Sequence, residues 1–307
     1  MNVSALLAFA SRQMAREDHA AAVETLRMVL GTDPEHAEAH ALLAICLLRQ
    51  RRRYAAEHET RLALRLDPEL PNAHIAAGWV SLAANDLARA EEAFREALRL
   101  SPDEVIAIHG LAEAALARGD RDAARAELER VLAIDPENVG ALVELAKLDL
   151  ACGDHDAADT RIEEALRIDP ESPKALVARG EAFLRRGDVA AAREHAIWAL
   201  RQSASSPSAL VLLSNIKARQ SFFLGVWWRL NTWLIALASS RRVFALVAMY
   251  AIYRASITLF VQLGLPSAAA TIELVWLLFI VYTWVAMPIF RRMLNRELAG
   301  VRLPRRF

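Results

Sequence analysis

Cysteine is nearly absent from this chain of 307 residues. The two present, Cys46 and Cys152, lie in apolar helical patterns too widely separated to pair. A disulfide framework is therefore excluded, and both thiols are expected as small core residues in a reducing compartment. Gly-rich phosphate loops, nucleophile elbows and paired catalytic carboxylates are also missing, so neither catalysis nor a cofactor is expected. The eight histidines lack a Cys or acidic set that would complete a metal site. His36 and His40, spaced i, i+4, are read as a solvated pair. The opening MNVSALLAFASRQ has no basic leader, so a cleaved signal peptide is not expected. Aromatics are scarce at 7%, but Trp227, Trp228 and Trp233 crowd into one segment.

What the chain has is repetition. Pro34, Pro68, Pro102, Pro136 and Pro170 recur every 34 residues inside phrases such as LRLDPEL, LRLSPDE and LAIDPEN. A period of this size marks a solenoid of identical helical units. Two columns run with it. Ala22, Ala56, Ala90, Ala124, Ala158 and Ala192 form one; Ala10, Ala44, Gly78, Ala112, Ala146 and Gly180 form the other. Small residues at facing positions let two helix axes approach to about 8–10 Å. Within each unit, Gly119, Gly153 and Gly187, with Asn85 as substitute, stand where a left-handed residue ends the first helix. Between units, Asp33, Ser101 and Asp135 precede proline and are expected to be N-caps of a helix that starts on it. Ser101 with Glu104 could add a capping box. The proline column fails once, at Ala204.

The period and these columns, over residues 3 to 204, resemble the tetratricopeptide repeat family. Its aromatic positions are mostly aliphatic here, with Phe94 a partial exception. The resemblance implies an all-α fold: a right-handed superhelical α-solenoid of six helix pairs. A helix from Pro207, PSALVLLSNIKARQ, is expected to cap it, closing a first domain of residues 1–220. The resemblance also implies that the first helix of each pair lines a concave face where a protein or peptide docks. On this sequence that face would present Leu7 and Ser11, Ile45, Ile75 and Trp79, His109 and Glu113, Val143 and Lys147, then Val177 and Glu181. Its first half is apolar, which suits an amphipathic helix or extended segment with an apolar anchor, and Trp79 is the leading contact.

The charge is divided along the chain. Residues 1–215 carry 25 Lys/Arg against 35 Asp/Glu, and residues 216–307 carry 12 against 2. The acidic body argues against nucleic acid as a partner. Residues 221–242 mix tryptophan with Arg229, Arg241 and Arg242. That composition predicts a helix lying in the headgroup region, next to anionic lipid. Residues 243–290 hold two candidate spans, Val243 to Leu265 and Ala268 to Phe290, since about 20 apolar residues cross a bilayer. Arginines cluster before the first span and, in the tail 291–307, after the second. By the positive-inside rule both termini then face the cytoplasm, in a bacterial-type inner membrane. Arg254 within the first span is costly, about 2.5–3.5 kcal/mol, and Glu273 is a possible partner in this subunit or another.

The expected function is a membrane-anchored scaffold or adaptor that binds a partner on the concave face. The alternative is an assembly subunit of an oligomeric channel, transporter or secretion complex, in which the two-span hairpin does the work.

Overall fold

The computed structural model describes residues 2–16, 18–202, 206–220 and 239–263, with 265, 267, 270–277 and 281 beyond them. The described residues are helical and contain no strand. The chain divides into two compact units, Met1–Ile168 and Asp169–Phe307.

The first unit is five helix pairs. Their first helices are α1 (Val3–Ala15), α3 (Ala37–Arg49), α5 (Pro71–Ala83), α7 (Val105–Arg118) and α9 (Val139–Cys152). Their second helices are α2 (His19–Thr32), α4 (Arg53–Leu66), α6 (Leu87–Leu100), α8 (Arg121–Ile134) and α10 (His155–Ile168). The second unit begins with a further pair, α11 (Pro173–Arg186) and α12 (Val189–Gln202). It continues with α13 (Pro207–Gln220) and α14 (Ser239–Gln262).

Both small-residue columns sit at the helix crossings. Ala22, Ala56, Ala90, Ala124 and Ala158 are wholly buried, as is Ala192 in the second unit. Their partners Ala10, Ala44, Ala112 and Ala146 are buried too. In the third pair a large ring takes the space. Phe94 is wholly buried between Gly78 and Gly110, where an added Cβ would come within 2.4 Å of its ring. Gly110 is outside the predicted columns, and its role becomes visible only once Phe94 is seen between two helices. In the second unit, a Cβ on Gly180 would meet Leu212 at 2.5 Å. There α13 buries Ala209, Leu212, Leu213 and Ile216 against α11 and α12.

The turns follow a rule of their own. The residue before each repeat proline is not an N-cap. Asp33, Ser101 and Asp135 end the preceding helix, and the proline lies in a turn before the next one. The carbonyls of Asp33, Asp67, Ser101, Asp135 and Asp169 each accept from the N–H three residues on, at 3.2–3.4 Å. Asp33, Asp67 and Asp169 also accept through Oδ1 from the N–H two residues on. This is a β-turn with Asp or Ser first and proline second, a pairing favoured by proline's fixed φ and the short acceptor side chain. The caps are displaced to His36, Glu104 and Asn138, whose side chains accept from the first helical turn. Proline opens a helix at Pro71 and Pro173 instead.

Inside the pairs, Gly119, Gly153 and Gly187 take φ of 86–87° and Asn85 takes 61°. The aspartate that follows caps the next helix, as Asp86, Asp120, Asp154 and Asp188 do. The second pair departs from this. Arg51 holds φ 62°, at about 1–2 kcal/mol for an L-residue. Arg52 stands at the cap position with no side-chain cap bond, forgoing about 1 kcal/mol.

Two expectations need correction. Cys46 is buried, but Cys152, the last residue of α9, is exposed. Its apolar helical context is real, but it stands in the final turn where the helix leaves the core. The pair His36 and His40 is not solvated. His40 is buried, with Nδ1 at 2.6 Å from Glu59 Oε2 and Nε2 at 3.0 Å from the Pro34 carbonyl, and His36 is spent on its cap.

The Trp-rich segment 221–238 and the tail 291–307 lie outside the described residues, as does most of the second candidate span. Among the described residues, no helix is long and apolar enough to cross a membrane. The side chains described on α14 run from Tyr250 onward. They include exposed apolar residues such as Tyr250, Ile252 and Leu259. Arg254 and Glu273 are exposed, and no ion pair joins them among the described residues.

Gly110→Ala should destabilise the chain by about 1–3 kcal/mol through overpacking. Adding Phe94→Leu should recover much of that loss, as a double-mutant cycle in urea would read; simple additivity would refute the slot. Burial pushes the Cys46 thiol up to about 11, so it stays protonated at neutral pH. Ellman's reagent should therefore titrate one thiol, Cys152, quickly in the folded chain and the second only on unfolding.

Candidate functional site

The residues expected on the docking face form two columns along the first helices, and the structure separates them. The column of Ser11, Ile45, Trp79, Glu113 and Lys147 is open: Ser11 is exposed and the others are half-buried. The column four residues earlier turns inward. Ile75 and Val143 are buried in the first unit, and Val177 is buried in the second. These three belong to the core and present no side chain to a partner. Four residues advance a helix by about 40° beyond one full turn, which is enough to carry a side chain from the helix crossing to the open face. Leu7 and His109 are the half-buried members of that inner column. Glu181, in the second unit, is half-buried on α11.

Trp79 is the centre of the open column. It meets the buried Phe94 edge to face, with centroids 5.3 Å apart at 76°. His109 on α7 lies 6.4 Å from it on one side. On the other side the Arg49 guanidinium, from the last turn of α3, stands 5.9 Å from the ring centroid. Ile45 packs on the same cluster. Because α3 contacts α5 and α5 contacts α7, these side chains form one continuous surface. The indole thus packs on the buried Phe94 ring and stays half-buried, with a cation held over it. Arg49 was not among the expected site residues. Its link to Trp79 crosses two repeats, and sequence spacing does not show which way a long side chain leans.

Further along the face, Lys147 is paired with Glu144 at 2.7 Å. Elsewhere on α9 a buried carboxylate ties three helices together. Asp149 on α9 accepts from Arg125 of α8 at 2.7 Å and from Arg161 of α10. The hydrogen bond to Asp149 holds the Arg125 proton more tightly than usual. This cluster was visible in the sequence only as an acidic residue interrupting the apolar run LVELAKLDLAC. Its three members satisfy one another, so it braces the array rather than offering chemistry. Among the described residues, no group of three His, Cys, Asp or Glu could hold a metal ion.

Several solved structures share this architecture. A tetratricopeptide repeat protein from Parabacteroides merdae aligns at 18% identity over 70% of this chain and 84% of its own, with a TM-score of 0.58. PilW, described as a widely conserved type IV pilus biogenesis factor, aligns at 21% identity over 69% and 98%, with a TM-score of 0.53. The Cut9–Hcn1 hetero-tetramer of the APC/C aligns at 15% identity over 95% of this chain and 55% of its own, at 0.65. At these identities the likeness is one of fold. No curated protein matches the sequence. Family models described as tetratricopeptide repeat match residues 7–71, 55–105 and 143–207, and also 81–135 and 115–164. The 34-residue period, the alanine crossings and these matches together show that the chain belongs to the tetratricopeptide repeat family.

Proposed function

We propose that this chain is a non-enzymatic adaptor that holds a protein partner on the face of its first helices while its C-terminal part attaches it to a membrane. Tetratricopeptide repeat proteins generally mediate protein–protein interaction, and the observation that carries the reading here is Trp79. A large indole is half-open on a continuous helical face, with its other edge locked against Phe94. Interface energy concentrates on such pre-ordered aromatic anchors. Ser11, Ile45, His109, Glu113 and Lys147 extend the contact along the face.

Membrane attachment rests on the sequence of residues 221–307, with its tryptophan and arginine clusters and the uncharged run from Leu274 to Phe290. The exposed apolar side chains of α14, among them Ile252 at 68%, agree with a surface covered by lipid. In this reading both termini face the cytoplasm and anionic headgroups contact the arginines. A partner held there meets membrane components at raised effective concentration.

Photo-crosslinkers placed at Ser11 and His109 should trap the same partner, whereas crosslinkers at the outer positions Glu92 and Glu129 should not. Equal trapping from both sets would sink the proposed face. Trp79→Leu should cut partner recovery at least tenfold at a loss of about 0.5–1.5 kcal/mol from the aromatic pair. The membrane half has its own test. Carbonate-resistant sedimentation with membranes should be lost on removal of residues 221–307, and retention in the pellet would refute the anchor. An unrelated anchor in place of residues 243–290 should preserve partner binding and cellular function. Loss of function with binding intact would favour a channel or secretion subunit instead.

A further inference from the structure

We propose that the arginine-rich turn between α3 and α4, with the Trp79 contact it borders, takes an acidic peptide segment bearing one apolar anchor residue. This rests on the reading of the helical face as the docking surface and specifies the partner's chemistry.

Four arginines occupy five positions at this turn: Arg49, Arg51, Arg52 and Arg53. The first three are exposed. Among the described residues none of the four has a carboxylate within ion-pairing distance. Elsewhere in the same unit Arg95 and Arg118 are matched to Glu91, Arg99 to Glu96 and Arg125 to Asp149, whereas arginines unmatched among the described residues, such as Arg61 and Arg65, stand singly. The turn therefore holds unneutralised positive charge inside an acidic body of 25 Lys/Arg against 35 Asp/Glu over residues 1–215.

The turn also breaks the local rules that other pairs of this array obey. Gly or Asn is left-handed and aspartate caps the next helix in the third, fourth and fifth pairs. Here arginine takes the left-handed position and arginine replaces the cap. Departures from local consistency that cost stability concentrate at functional positions.

Geometry links this charge to the apolar face. Arg49 belongs to both, because its guanidinium lies over Trp79. Arg53 similarly stands 5.2 Å from the ring centroid of Tyr54, which is 78% exposed. A partner that reaches Ile45 and Trp79 with an apolar side chain thus brings its neighbouring residues to the guanidiniums. Carboxylates there would gain paired, bidentate hydrogen bonds. The acidic surroundings disfavour a long polyanion such as nucleic acid, and a half-buried indole between helices is reached by a side chain rather than by a flat bilayer. Charge complementarity therefore selects a short acidic peptide.

The test pans a random phage-displayed dodecapeptide library on the full chain in mild detergent. Recovered clones should be enriched at least tenfold in Asp and Glu and should carry a Leu, Phe or Trp among them. A synthetic clone should bind at least tenfold more weakly to Arg51→Gly/Arg52→Asp, a variant that restores the array's own turn and should melt higher than the parent. Replacing the clone's Glu with Gln, or raising the salt, should weaken binding in the same way. An acid-neutral or empty selection overturns the proposal, as does an acidic clone that binds the variant and the parent equally. Binding of phosphatidylserine vesicles or single-stranded DNA that is tighter than that of any clone and is lost in Arg51→Gly/Arg52→Asp overturns it too. If Trp79→Leu alone weakens the clones, the docking face stands and the acidic partner falls. If neither variant matters, both readings fall.

Discussion

The array depends on how closely two helices can approach at a single residue in each pair. Alanine at the crossing, facing alanine or glycine, brings the backbones together, and larger neighbours then interlock around the contact. Phe94 shows the constraint from the other side. Its ring fits only because Gly78 and Gly110 have no side chain, so one large residue and two absent ones exchange volume at constant spacing. The same ring is the base on which Trp79 rests, so the packing rule also positions the residue at the centre of the proposed docking face.

The turns carry a second level of order. In one kind, Asp-Pro or Ser-Pro sets up a hydrogen-bonded reversal between pairs. In the other, a left-handed glycine or asparagine is followed by an aspartate that both finishes one helix and caps the next. Both are local, and their regular recurrence makes the exception at Arg51 and Arg52 legible. It sets four arginines in five positions beside a half-buried indole.

The face itself is selective in what it shows. Ile75 and Val143 lie on the helices that carry it, yet their side chains close the core of the first unit. The open column changes along the first unit from apolar Ile45 and Trp79 to polar Glu113 and Lys147, and Lys147 is already engaged by Glu144. Asp149, held by two arginines from flanking helices, stiffens the polar end without exposing a charge.

Period, helix class, crossing residues and the left-handed turns were all legible in the sequence, because each is set by contacts within one repeat or by the backbone freedom of one residue. The same holds for the division between an acidic body and a basic, apolar end. The placement of the caps was not legible, since Asp-Pro serves equally as a helix start or as a turn, and the hydrogen bonds decide between them. Nor could spacing alone separate the open column from the buried one, because a rotation of about 40° per four residues crosses the boundary between face and core. The slot at Gly110, the cation over Trp79 and the bracing of Asp149 each join residues from different helices. Tertiary structure alone decided these, because they depend on which helices are neighbours and on which way each side chain leans.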